Sequence, residues 1–163
     1  MKLICIFGIF VADLCFFSHT IPIRGQTVLG SKHLVGPGGK GSNQAIAAAR
    51  LGGDVKFITK LGKDNHAEMA LALYKNSGMQ TDTIIQDSNL TTGVAGIMID
   101  EKTGDNIINV VPGAAAPGTT FIILSPVFSS IIIPATPVVR LGSCIIVSVC
   151  IPEFLYKAKA ISA

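Results

Sequence analysis

The chain has 163 residues, with 13 Lys and Arg against 10 Asp and Glu, a net charge of +3 and 49% apolar residues. A charged fraction of 14% is low beside the roughly 25% usual in soluble domains, but the apolar content is ordinary, which excludes an intrinsically disordered chain. The length suits one domain and not two, and a small positive charge without basic clusters or interleaved aromatics leaves no nucleic-acid footprint.

The charge is unevenly placed. Residues 1–117 hold 19 charged side chains, the last 46 residues hold only Arg140, Glu153, Lys157 and Lys159, and none falls between Asn106 and Val139. A run of that kind invites a membrane reading, yet prolines at 112, 117, 126, 134 and 137 cut it into pieces of at most eight residues. A helical span needs about 20 apolar residues, so no membrane association is expected. Lys2 followed by the apolar stretch Leu3 to Val11 has the layout of a secretory leader. Asp13 and the lack of a small-x-small cleavage site favour a buried first strand instead. Cys5, Cys15, Cys144 and Cys150 make no C-x-x-C pair and no ligand spacing with His19, His33 or His66. Neither a metal site nor a disulfide framework is expected, and mostly buried thiols imply a cytoplasmic protein.

In chain order, residues 2–11 are nearly all apolar, as a strand covered on both faces requires. Leu14 to Phe17 and Thr27 to Val35 read as short strands around a turn at Pro22 to Gly25. Gly36 to Ser42 (GPGGKGS) packs four glycines and a proline into seven residues and reads as a loop feeding a helix. That helix starts with a cap at Ser42 or Asn43 and stops at Gly52. Val55 to Leu61 is a second core strand. A second helix begins at Asn65, with Glu68 completing a capping-box-like start, buries Ala67, Ala70, Leu71 and Tyr74 and ends at Gly78. Thr83 to Gln86 is a third strand. Strand–helix–strand–helix–strand at this spacing predicts an α/β domain with a parallel sheet.

Gly93 to Asp100 and Asn106 to Val111 flank EKTGD, a turn with Gly104 available for a positive φ, and predict an antiparallel hairpin. With the strands between residues 14 and 35 it would form a small accessory sheet. Beyond Pro117 only strand-like fragments remain: Ile122 to Leu124, Ile131 to Ile133, Val138 to Val139 and Ile145 to Val149. No capped helical segment appears there to cover them.

Three chemistries compete for the glycine loop. A P-loop fails at two positions, because Gly41 follows Lys40 and Leu34 stands where the first glycine belongs. Gly36, Gly38 and Gly41 satisfy G-x-G-x-x-G, which would bind NAD(P), but the acidic residue expected about 20 positions on is absent. The third reading is a close-approach site for a polar, uncharged ligand, offering backbone N–H groups, the Lys40 ammonium and the Asn43 amide, with Asp13 adding an acceptor at the end of the first strand. Against all three stands a plain turn with an N-cap Asn43.

The segment GPGGKGSNQAIAAARLGGDVKFITKLGKD resembles the first signature of the ribokinase-like (PfkB) carbohydrate kinases, and the likeness continues through ALALYKNSGMQTDTI, Thr91-Thr92-Gly93 and IINVVPGA. It covers about residues 3–116. The resemblance implies a ribokinase-like parallel sheet with flanking helices and a small antiparallel β lid, the lid strands lying at about 14–35 and 93–111. It implies ATP-dependent phosphorylation of a sugar hydroxyl, with ribose or a similar sugar as substrate and ATP and Mg2+ required. It places Asp13, Gly38, Gly39, Lys40 and Asn43 in the sugar site, makes the paired glycines a hinge for the lid, and makes the lid a homodimer contact. Two positions depart from the pattern of ribose-specific members: Val11 and Ala115 stand where those carry Asn, and each loses an amide.

The family's G-A-G-D motif, which supplies an anion hole and the catalytic Asp, does not occur in this sequence. The resemblance therefore implies a truncated kinase: residues 1–117 keep the sugar-binding half, 118–163 form a Pro-interrupted tail expected to lie outside the family, and the chain alone is expected to be inactive. No catalytic or nucleotide-binding residue is assigned.

Overall fold

The computed structural model describes residues 3–116 and, beyond them, four short strands within 123–148. The first strand, β1 (Leu3–Phe7), is shorter than the apolar run that contains it, because the chain turns out of the sheet at Gly8 and re-enters a different sheet as β2 (Val11–Ser18). Gly8 lies so close to the first turn of helix α1 (Lys40–Arg50) that a Cβ on it would stand 2.9 Å from the Gly41 Cα. A single strand over 2–11 is thus corrected to two, and Phe10, fully buried at the crossing, packs edge-on against Tyr74 at 6.3 Å.

The main sheet continues with β4 (Asp54–Leu61) and β5 (Ile84–Gln86), after the lid strand β3 (Lys32–Gly38). With β11 (Cys144–Ser148) and β10 (Arg140–Leu141) its order is β10-β11-β1-β4-β5, parallel throughout except for β10. The expected parallel sheet with flanking helices is borne out. Val55, Phe57 and Leu61 of β4 form the core with Ala45 and Ile46 of α1 and Ala67, Ala70 and Tyr74 of α2 (Asn65–Asn76). Phe57 and Tyr74 meet edge-to-face at 5.4 Å, and the buried Tyr74 hydroxyl shares a 2.9 Å hydrogen bond with Ser42 Oγ, tying the helices together. Ala45 of α1 and Ala67 and Ala70 of α2 are fully buried in this core.

Both helices end as the glycines predict. Gly52 (φ 85) and Gly78 (φ 76) sit just past the C-caps Leu51 and Ser77. The N–H groups of Gly53 and Met79 reach back to Ala48 O and Tyr74 O, closing Schellman motifs. The starts differ from expectation. The cap of α2 is Asp64, whose carboxylate accepts from Ala67 N–H at 2.9 Å, so Asn65 is the first helical residue and the Asn65/Glu68 capping box is corrected by one position. The cap of α1 is Gly39, with no side-chain bond, so Ser42 and Asn43 lie inside the helix.

The second sheet has the order β3-β2-β6-β7, with β6 (Thr92–Asp100) and β7 (Asn106–Gly113) forming the predicted hairpin around Gly104, φ 79. Strands β2 and β6 run parallel while the outer pairs are antiparallel. This is the accessory sheet expected of a lid. Strands β8 (Ile123–Ser125) and β9 (Phe128–Ile131) pair with each other. The tail fragments expected at 132–133 and 138–139 fall outside the described residues, and among the described residues no helix is long and apolar enough to cross a membrane.

Candidate functional site

The glycine segment is not a loop. Gly36, Pro37 and Gly38 finish β3, pairing with Asp13, Ala12 and Val11 of β2, and the chain turns into α1 at the single residue Gly39. Each glycine has its own cause. A Cβ on Gly38 would overlap the Asp13 carboxylate, so the strand is bare there to admit that group. Gly39 has φ 96, a conformation costly for any side chain, and a Cβ there would strike Ile9 O. Gly41 is bare because Gly8 approaches it.

These contacts bring Asp13, Gly38 and Gly39 together at the end of the second sheet where β2 begins and β3 runs into α1. Asp13 lies within β2, not at the end of the first strand as expected. It is half-buried, and burial pushes its carboxyl above the ordinary value. Cys15, two residues along the same face, has its thiol pushed up by burial and by the Asp13 charge. Lys40 and Asn43 occupy the first turn of α1, three apart on one side of the helix and exposed. Asn43 therefore performs no capping, and its amide is available. Among the described residues the ion pairs are Lys56–Asp82 at 2.7 Å and Lys60–Asp87 at 2.8 Å, both in the main sheet's neighbourhood, so Lys40 is not neutralised by a carboxylate.

A second node holds the other root of the lid. Asp64 Oδ2 accepts from Thr92 N–H at 2.7 Å, and Thr92 Oγ1 accepts from Gly62 N–H at 3.0 Å. Burial pushes the Asp64 carboxyl up, but bonds from Thr92 and Ala67 outweigh it and hold it below the ordinary value. Sequence reasoning missed this node. An Asp directly before a helical pattern is as strong a cap signal as the Asn that follows it, and it was the available clue. The two departures from the ribose-specific pattern are both buried: Val11 would touch a Cβ on Gly93 at 3.0 Å, and Ala115 is tucked into the turn after Gly113.

The dinucleotide fingerprint does not find its context. Gly36 and Gly38 sit in an antiparallel lid strand, not in a turn between a parallel strand and its crossover helix. Among the described residues no three His, Cys, Asp or Glu side chains gather as metal ligands.

A parallel sheet flanked by helices, with a second, smaller sheet beside it, is a partial ribokinase-like fold. The profile of the pfkB family carbohydrate kinases matches residues 1–157, and the chain belongs to that family. It is 42% identical over 114 residues to the ribokinase of Bacillus subtilis (strain 168), covering 70% of this chain and 38% of that one. The ribokinase structure from Thermotoga maritima superposes with a TM-score of 0.66 at 33% identity, covering 72% of this chain and 38% of that chain. The Arabidopsis thaliana ribokinase complexed with ribose and ATP superposes with a TM-score of 0.61 at 31% identity, covering 69% and 36%. The chain spans less than two fifths of the length of these relatives.

Proposed function

We propose that this chain carries the sugar-binding half of a ribokinase-type enzyme, one that phosphorylates a hydroxyl of ribose or a similar sugar with ATP, and that alone it binds sugar without turning it over. The observation that carries the reading is Asp13: a half-buried carboxylate, desolvated and, among the described residues, without a hydrogen-bond donor, set against bare backbone at the lid root. A carboxylate there accepts two or more hydrogen bonds from sugar hydroxyls, and a charged acceptor makes each stronger than a neutral one would. Lys40 and Asn43 on the adjoining helical turn add donors, and Gly38 and Gly39 let the backbone approach the ligand. A lid over such a site excludes water from the reacting phosphoryl group in a complete enzyme.

Magnesium, the nucleotide pocket and the catalytic base belong, on this reading, to sequence that these residues do not contain. The experiment is a coupled assay for sugar-dependent ADP release, run beside a ribose titration. Binding without ADP release is expected, and turnover abolished by Asp13→Ala would overturn the assignment of an inactive half.

A second reading, that the chain dimerises through its lid, is favoured by one observation. Both faces of the lid sheet expose large apolar side chains, among them Leu34 at 56% and Ile108 at 57% on the Asp13 face and Phe16 at 48% and Val111 at 51% on the other. Exposed apolar area of this kind marks an interface. Size-exclusion with light scattering decides it: a monomer at micromolar concentration removes this reading and leaves the sugar site untouched.

A further inference from the structure

The two sides of the second sheet are joined to the body of the chain unequally. On the β2–β3 side, among the described residues, no side-chain hydrogen bond involves residues 8–13 or 36–41. Gly39, with φ 96, turns the chain into α1 without a side-chain cap. That side is free to swivel.

The β6 side is tied. Asp64 Oδ2 accepts from Thr92 N–H at 2.7 Å while its Oδ1 accepts from Ala67 N–H at 2.9 Å, and Thr92 Oγ1 accepts from Gly62 N–H at 3.0 Å just past the end of β4. Glycines let the backbones close around this point. A Cβ on Gly62 would stand 2.6 Å from Thr92 N and 2.5 Å from Leu90 O, and one on Gly113 would overlap Thr91 O. Backbone bonds flank the tie on either side, from Ala114 N–H to Thr91 O at 2.8 Å and from Asp87 N–H to Leu61 O at 2.9 Å. Thr92 is 2% exposed, so none of these groups has water as a substitute partner.

The sugar-site residues straddle this joint. Asp13 and Gly38 belong to the second sheet, Lys40 and Asn43 to α1 in the body. Strands β2 and β6 run parallel with Ala12 opposite Val94 and Asp13 opposite Ala95, three residues beyond Thr92. At about 3.3 Å per residue, the tie lies roughly 10 Å along β6 from the position that faces Asp13. A hydrogen-bonded sheet carries the placement of Thr92 across to Asp13.

We propose that Asp64 and Thr92 are positioning residues for the sugar site: they fix the point about which the second sheet turns, and so hold Asp13 where one ligand touches it together with Lys40 and Asn43. Neither residue contacts the ligand. Asp64 acts through Thr92, and Thr92 acts through β6 and β2. For its ligand this rests on the sugar-binding reading, whereas the tie itself does not depend on it.

Thr92→Val separates positioning from folding. It keeps the branched shape and the N–H bond to Asp64 but removes the acceptor for Gly62 N–H, and Thr92→Ser returns the hydroxyl. Gly78→Ala, a positive-φ position at the far end of α2, destabilises the fold by another route and serves as the control. With the full chain, calorimetry should find the ribose dissociation constant raised about fivefold by Thr92→Val, the effect of losing one ordinary hydrogen bond. Thr92→Ser should restore it and Gly78→Ala should leave it unchanged. Without sugar, Thr92→Val should accelerate amide hydrogen exchange in residues 11–16 and 92–96 while residues 71–75 keep their rates. Wild-type ribose affinity in Thr92→Val, or exchange that rises equally in all these segments, would overturn the proposal. If the wild-type chain gives no heat with ribose, the sugar reading falls and exchange alone decides: selective acceleration supports the tie, and unchanged rates overturn it. If Thr92→Val does not fold, Asp64→Asn, which leaves one acceptor for two N–H groups, should show the same selective pattern, and its absence would overturn the proposal.

Discussion

Replacing Asp64 with Ala should destabilise the chain by about 2–4 kcal/mol, because one carboxylate performs two tasks. It caps α2 through Ala67 N–H, a role whose loss costs about 1 kcal/mol, and it satisfies Thr92 N–H at 2.7 Å, whose residue is buried at the root of β6. An orphaned buried donor costs a further ~1–3 kcal/mol. Urea unfolding followed by circular dichroism measures the difference. The pH dependence separates this cause from general damage. The folded state holds the Asp64 carboxyl below its unfolded value, so its contribution is full above the unfolded pKa of about 3.9 and is lost as pH falls through the lower folded value. The gap between wild type and Asp64→Ala should therefore narrow in acid. A loss below about 0.5 kcal/mol at pH 7, or a gap that stays constant down to pH 2, would refute the reasoning.

Three further outcomes follow from the same contacts. Tyr74→Phe leaves the fully buried Ser42 hydroxyl without its partner and should cost about 1–3 kcal/mol in urea, while the double change with Ser42→Ala should recover part of it. Gly39→Ala, with φ 96 and Ile9 O in the way, should lower the thermal midpoint far more than Gly52→Ala, where φ is 85 but nothing lies within 4 Å of the added Cβ; equal shifts would contradict the close approach. Asp13 has the opposite sign to Asp64. Burial raises its folded pKa, so it favours the folded state at pH below its unfolded value and loses that advantage as pH rises through the raised one. Asp13→Asn should therefore be at least as stable as wild type at pH 7, and relatively less so near pH 3.

Legibility in the sequence followed the range of the interaction. Gly52, Gly78 and Gly104 were readable as stops and a turn because a positive φ is a local demand of the backbone. The α2 face of Ala67, Ala70 and Tyr74 was readable because helical period is local too. The split of the apolar run at Gly8 was not, since its cause is the backbone of Gly41 more than 30 residues away. Gly36 and Gly38 looked like loop residues for the same reason: glycine is permissive, so its presence does not say whether it bends the chain or makes room. Here Gly38 is extended and makes room for Asp13. The resemblance names Asp13, Gly38, Gly39, Lys40 and Asn43 as a set, but Asp13's position inside β2 and the Asp64–Thr92 tie depend on pairing across the fold.

The claim that matters most is that Asp13 receives sugar hydroxyls, and calorimetry with ribose tests it directly. Millimolar binding corresponds to about 4 kcal/mol, which is within reach of a few charge-assisted hydrogen bonds in an open site. The account predicts measurable heat for the wild-type chain at millimolar ribose and none for Asp13→Ala folded to the same extent. No heat from the wild type, or equal heat from both chains, would contradict it.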